Sequence, residues 1–140
     1  MEQDEILLKK QLTSYVYDII GCMQRVHQIL GPYLTEYVYQ EGLQIEFNHN
    51  QIPYQREYEV HPKYGEIQME SFFRLDFLCK GNVIVECKAV DKLSNDHRLQ
   101  LWNYMRISPY KIGILVNFAP QRDEVERYYI DNKTQKIIAF

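Results

Sequence analysis

The chain contains no apolar run approaching the ~20 residues that span a bilayer, so no segment of it reads as a transmembrane helix. Its cysteines are few and odd in number, three in all, and none has the paired spacing that ligates zinc. That argues against a disulfide scaffold and a structural zinc site together, and predicts reduced thiols in a cytoplasmic protein. The opening Met1-Glu2-Gln3-Asp4-Glu5 is acidic and lacks the basic-then-apolar layout of a signal peptide. Positive charge is in deficit. A net charge of −3 argues against a broad basic surface that grips duplex nucleic acid by charge alone, though not against a local basic rim. No repeat, low-complexity tract or linker is visible, and 140 residues suit one domain, 1–140, with one core.

What is present is an ordinary globular composition, 46% hydrophobic and 25% charged, enough to fill a core. Tyrosine is abundant, at twelve residues. Most are expected to pack half-buried with the hydroxyl at the surface; others are candidates for stacking on bases.

The order of elements follows from periodicity. Leu12, Tyr15, Val16, Ile19, Ile20, Met23, Val26, His27 and Leu30 recur at helical spacing up to Gly31-Pro32, and residues 4–11 can extend that helix. His27 reads as a packed helix histidine. A second helix is predicted from about Leu34 to Asn48, with Thr35 near its start and Tyr39, Leu43 and Phe47 on one face, Val38 and Ile45 beside it. Pro53 to Val60 reads as a strand with Tyr54, Arg56, Tyr58 and Val60 on one side, and His61 to Gly65 as a turn. A third helix spans about Asn95 to Ile107, capped by Ser94 or Asn95, with Leu99, Leu101, Trp102 and Met105 as its apolar side. Lys111 to Phe118 reads as a buried strand, and Val125–Ile130 and Lys136–Phe140 as short edge strands joined through Asn132-Lys133. Together these predict an α/β (α+β) chain, a mixed central sheet flanked by helices.

The most informative stretch lies between. Ser71-Phe72-Phe73-Arg74-Leu75-Asp76-Phe77-Leu78-Cys79 and Asn82-Val83-Ile84-Val85-Glu86-Cys87-Lys88-Ala89-Val90 place Phe73, Leu75, Phe77, Cys79, Val83, Val85, Cys87 and Ala89 on one apolar face of period two. All the charges, Arg74, Asp76, Glu86 and Lys88, fall on the other face. A three-residue loop, Lys80-Gly81-Asn82, keeps both faces in register, with Asn82 as the left-handed last position. Asp76 is then expected directly opposite Glu86, and Arg74 opposite Lys88. Opposed carboxylates repel and raise one of the two pKa values. A divalent cation, Mg²⁺ or Mn²⁺, relieves the repulsion, with Lys88 beside it. The plain alternative is a wet strand face whose acids are neutralised by Arg74 and Lys88.

Three further residues support the metal reading. Gln100 and Tyr104 are four apart on the third helix and share a face. That helix must pack back on the sheet, where its polar edge overlooks the acids. Glu36 sits in the first turn of the second helix, a position that also suits an acid at a helix N-terminus. Glu41 lies five residues on and points elsewhere. Arg98, Arg106 and Lys111 lie close in sequence and could form a basic rim.

Asp76, Glu86-x-Lys88 and Gln100-x-x-x-Tyr104, preceded by an acid on an early helix, resemble the PD-(D/E)xK nuclease superfamily, the last pair being similar to the Gln-x-x-x-Tyr signature of its RecB-like branch. More closely, the chain resembles the small GxxExxY family of that superfamily. The resemblance is carried by residues 20–27, 30–39, 83–90 and 100–104 and covers about residues 18 to 118. Two departures stand out. The name-giving glycine falls at Tyr33, leaving Glu36 and Tyr39 of that motif, and Leu75 replaces the proline before the acid. The resemblance implies a restriction-endonuclease-like αβββαβ core and a metal-dependent nuclease, with DNA favoured over RNA. It implies Asp76, Glu86, Lys88, Gln100 and Tyr104 as catalytic residues. Glu36, Asp76, Glu86 and the Cys87 backbone carbonyl would hold Mg²⁺ or Mn²⁺. Nucleic acid is the expected partner, with no membrane and a homodimer left open. The rivals are a non-catalytic nucleic-acid- or protein-binding module that keeps the fold, and an assembly protein whose tyrosines form an oligomer interface.

Overall fold

A computed structural model describes residues 2–140; Met1, the first residue of the acidic opening, lies outside them. Helix α1 (Glu2–Leu30) buries Val16, Ile19, Cys22, Met23 and Val26, residues three or four apart, so one stripe of the helix faces the core. Its first turns do extend the predicted helix, back to Glu2, with Ile6 and Leu7 exposed. It ends where Gly31 takes a left-handed φ of 77° and its N–H donates to the His27 carbonyl. Helix α2 (Glu36–His49), with Thr35 at its N-cap, buries Tyr39, Gln40, Leu43 and Phe47; Val38 and Ile45, expected beside that face, are nearly half exposed.

The strands are β1 (Tyr54–Val60), a small hairpin of β2 (Lys63–Tyr64) and β3 (Ile67–Gln68), then β4 (Phe73–Cys79), β5 (Val83–Lys88), β6 (Ile112–Asn117), β7 (Glu124–Ile130) and β8 (Ile137–Ala139). The β2–β3 hairpin occupies the region expected to be a simple turn. The main sheet runs β1-β4-β5-β6-β7-β8, with β5 and β6 parallel and every other pair antiparallel. The crossover between β5 and β6 carries helix α3 (Asn95–Ile107), as a parallel connection requires. The αβββαβ order anticipated from the sequence is therefore present, with β2–β3 inserted after β1.

The core has two halves, one on each face of the sheet. Helices α1 and α2 pack with Phe77, Cys79, Val83, Val85, Cys87, Ile114, Val116 and Phe118. Helix α3 packs with Leu75, Leu78, Ile84, Leu115 and Ile130 through Leu101 and Met105. Burial on both faces explains why β5 and β6 read as near-continuous apolar runs. Leu99, assigned to the apolar side of α3, is instead half exposed.

The single odd-numbered apolar face expected for β4 is not what forms. Phe77 and Cys79 face α1 and α2, whereas Phe73 and Leu75 face α3. Strand β1 changes side at the same level. Tyr54 joins the first cluster and Tyr58 and Val60 the second, with Glu57 between them at a φ of 51°. The reversal falls at Asp76, which lies level with Glu57. The turn before β5 has three residues, as predicted, but Lys80 and Gly81 take the left-handed conformation rather than Asn82. Asn82 accepts a hydrogen bond from the Tyr15 hydroxyl, and the Lys80 ammonium donates to Asp18 and to the Tyr15 carbonyl, so α1 clamps the hairpin tip.

Two backbone positions carry predictions. A Cβ on Gly113 of β6 would lie 2.6 Å from Met105 Sδ and 2.9 Å from Leu101 Cδ1, so α3 sits against this strand only because the side chain is missing. Gly113→Ala should lower stability by about 1–3 kcal/mol, read as a lower urea midpoint with an unchanged m-value. Tyr33 is left-handed at φ 63° with its ring 65% exposed, so strain there is not offset by packing. Tyr33→Gly should raise stability by about 1 kcal/mol in the same measurement.

Candidate active site

The pairing of β4 with β5 holds the expected register through Cys79 with Val83, Leu78 with Ile84 and Phe77 with Val85, and then stops. Asp76 and Glu86 are the next residues on each strand, and they do not form the simple opposed pair anticipated. The strands part, and the two side chains enter the gap. Glu86 Oε2 accepts from the Asp76 backbone N–H at 2.7 Å, and Asp76 Oδ2 accepts from the Cys87 backbone N–H at 2.8 Å. Each carboxylate thus substitutes for a rung of the backbone ladder and satisfies an amide that the divergence would otherwise orphan. Among the described residues, Asp76 Oδ1 and Glu86 Oε1 have no donor.

Arg74 and Lys88 do not oppose each other either. Arg74 pairs across to Glu59 of β1 and stacks over Phe72. Lys88 lies in the part of β5 that pairs only with β6, level with Asn117. Its ammonium donates to Gln100 Oε1 at 3.4 Å rather than closing an ion pair with either acid. The acids are therefore not neutralised by direct contact, and Lys88 acts on them only through its charge at a distance.

Burial and charge act together on this pair. Glu86 is only 4% exposed. Burial first, then repulsion from Asp76 with a smaller push from Glu36, raise its pKa well above the usual carboxylate range, against the opposing Asp76 N–H and Lys88. Asp76 is pushed up to about 6, chiefly by burial, with Glu36 and Glu57 adding to the rise and the Cys87 N–H and Lys88 opposing it. Glu36 therefore lies close enough for its charge to act on both acids. It does not join them in a ready ligand cluster: among the described residues no three His, Cys, Asp or Glu side chains are grouped to hold a metal ion. The expected ligand set of Glu36, Asp76, Glu86 and the Cys87 carbonyl is thus reduced, in this geometry, to two carboxylates with one free oxygen each. That remainder still suits a hard cation, since Mg²⁺ takes one or two carboxylates and fills its other positions with water.

Helix α3 delivers the expected second side of the site. The Ser94 hydroxyl accepts from the His97 N–H while the His97 ring accepts from the Ser94 N–H, starting the helix at Asn95. Gln100 reaches Lys88. Tyr104 stacks face to face on Phe73, with centroids 4.1 Å apart. Burial raises its pKa, and Glu86 and Asp76 raise it further, so the phenol stays protonated and lies within the field of the acids. Of the three cations close to the site in sequence, only Arg98 is ion-paired among the described residues. Arg98 is bound to Glu126 by two contacts of 2.7 Å, Arg106 to Asn103, and Lys111 to the Met105 and Ser108 carbonyls.

Two supports were not anticipated. Asn117, fully buried at the end of β6, bonds both the N–H and the carbonyl of Val90 and also Glu124, so it fixes the chain leaving Lys88. A buried amide closing an apolar strand is the signal that would have marked it. Tyr39 closes the turn between α1 and α2: its hydroxyl donates to the Gly31 carbonyl at 2.6 Å and accepts from the Leu34 N–H. His27 is a packed histidine, bonded to the Pro120 carbonyl at 2.8 Å.

The raised Asp76 pKa gives a signed pH dependence. The folded protein holds the proton more tightly than the unfolded chain, so this contribution to stability is greatest below about pH 4 and is lost as pH rises through about 6. In chelator, Asp76→Asn should flatten that loss and be more stable than the parent at pH 7, by up to about 3 kcal/mol. Urea unfolding from pH 4 to 8 measures it.

A family profile described as the PD-(D/E)XK nuclease superfamily matches residues 13–128, from α1 into β7. No curated protein and no solved structure matches the chain significantly. With the profile covering most of the sequence and the six-stranded sheet carrying its acids at the parted β4–β5 hairpin, the chain belongs to the PD-(D/E)XK nuclease superfamily.

Proposed function

We propose that this protein is a metal-dependent nuclease that hydrolyses phosphodiester bonds in nucleic acid, with DNA as the preferred substrate, and that it falls in the GxxExxY branch of the superfamily. The observation that carries the reading is the Asp76–Glu86 arrangement, in which each acid is locked by a backbone amide of the opposite strand and keeps one oxygen free. The left-handed backbone at Tyr33, where the branch has its glycine, supports the finer placement.

Asp76 and Glu86 would hold Mg²⁺ or Mn²⁺, with Glu36 contributing directly or through water and the Cys87 carbonyl as a further oxygen. Such an ion supplies Lewis-acid stabilisation of a phosphate oxygen and a bound water of lowered pKa. Lys88, tethered through Gln100 and not paired with the acids, is free to face the negative charge that develops on the phosphate. Tyr104, kept protonated, donates a hydrogen bond to a phosphate oxygen at neutral pH. The stacked Phe73 ring fixes where that donor sits. Free, buried thiols at Cys22, Cys79 and Cys87, all with pKa values raised by burial, suit a reducing cytoplasm.

A second reading has an observation in its favour. The lack of a third clustered ligand among the described residues suits a binding module that keeps the fold without catalysis. Incubating purified protein with single- and double-stranded DNA and RNA in Mn²⁺ or Mg²⁺ separates the two. Hydrolysis is expected, abolished by Asp76→Ala and reduced about 10²- to 10³-fold by Lys88→Ala. Cleavage that persists unchanged in both variants removes these residues from the mechanism. No cleavage of any substrate, with no heat of cation binding, favours the module.

A further inference from the structure

Helix α2 carries Glu36, Gln40 and Gln44 at intervals of four, which places them on one stripe of the helix. Gln40 is 3% exposed, beside the buried Tyr39 and Leu43. Both ends of its amide are used. Nε2 donates to Glu36 Oε1 at 3.4 Å, and Oε1 accepts from an Arg56 Nη at 3.3 Å, while the other Arg56 Nη donates to Gln44 Oε1 at 2.8 Å. A guanidinium has no acceptor to offer, so these partners fix which way the Gln40 amide points.

Arg56 is an expensive residue to place here. It lies on β1 with its guanidinium 6.0 Å from the Phe77 ring centroid, its Nε is buried without an acceptor, and among the described residues no carboxylate is within ion-pair distance of it. A half-buried cation with one unmet donor costs stability relative to an apolar side chain of similar volume. Its charge instead reaches an acid through one amide, and that acid is Glu36, which faces Asp76 and Glu86 electrostatically. The result repeats the pattern of the other two acids. Each has one oxygen held by an N–H donor of the chain and the other oxygen free of protein partners.

We infer that Gln40 is a positioning residue, anchored by Arg56, that aims Glu36 at the cation held by Asp76 and Glu86. This rests on the reading of those two acids as cation ligands. The ladder of Gln44, Arg56 and Gln40 acts only through Glu36, so its effect vanishes when Glu36 can no longer contribute.

The test is calorimetric titration of the full chain with Mn²⁺ alone, with no substrate present. Gln40→Met and Arg56→Met are each expected to weaken Mn²⁺ about tenfold, as is Glu36→Gln. The Glu36→Gln/Gln40→Met double variant should bind no more weakly than Glu36→Gln. Arg56→Met should also melt no lower than the parent in chelator, which keeps the test open if Gln40→Met fails to fold. Unchanged affinity in Arg56→Met, or losses that add in the double variant, would overturn the inference. If Asp76→Asn binds Mn²⁺ like the parent, the cation site itself falls, and this with it. If Asp76→Asn loses binding while Glu36→Gln does not, the ladder alone is refuted.

Discussion

Two backbone amides hold this site together. At the level of Asp76 the sheet gives up its regular ladder, and the freed N–H groups of Asp76 and Cys87 are taken by the carboxylates of Glu86 and Asp76. The exchange is reciprocal, so neither acid can leave without orphaning a buried donor. It also fixes the acids far more firmly than side-chain packing would, because their partners are main-chain atoms of the two strands they belong to. One oxygen of each is consumed in this role and the other remains for chemistry.

The rest of the fold keeps that gap open at one end and closed at the other. Toward the hairpin tip, β4 and β5 pair in register from Phe77 with Val85 to Cys79 with Val83, and α1 clamps the turn through Tyr15, Asp18, Lys80 and Asn82. Beyond Asp76, β4 follows β1 and β5 follows β6, and the two diverge. Helix α3 is drawn against β6 by the bare backbone of Gly113, and Asn117 fixes the chain leading to it. Gln100 and Tyr104 therefore arrive at Lys88 and Phe73 from a rigid helix rather than from a loop.

This arrangement is not one that stability alone would select. Two carboxylates share a gap with raised pKa values, a half-buried guanidinium leaves its Nε without an acceptor, and Tyr33 holds a left-handed turn. The guanidinium reaches Glu36 only through Gln40, and Glu36 adds its charge to that of Asp76 and Glu86. Local rules broken together in one place, while the rest of the sheet obeys them, are the signature of a site kept for its chemistry.

The amino-acid sequence by itself determined the elements, because each rests on local periodicity and caps. Helix α3 begins at Asn95 after Ser94 and ends at Ile107 as its pattern requires, β5 and β6 announce their two-sided burial in their apolar runs, and Glu86-x-Lys88 with Gln100 and Tyr104 marked the site's face. Only the tertiary structure decided where β4 leaves β5, since that depends on β1 and β6 competing for the two strands. A period-two count assumes one flat face and so placed Asp76 directly opposite Glu86 and Arg74 opposite Lys88. The twist at Glu57 and Asp76 turned Phe73 and Leu75 to the other side. The carboxylates were thereby aimed at backbone amides. The contacts of Arg56 and Asn117 were hidden for the same reason: each bonds a residue brought close only by folding, and nothing in their own neighbourhoods along the chain reports it.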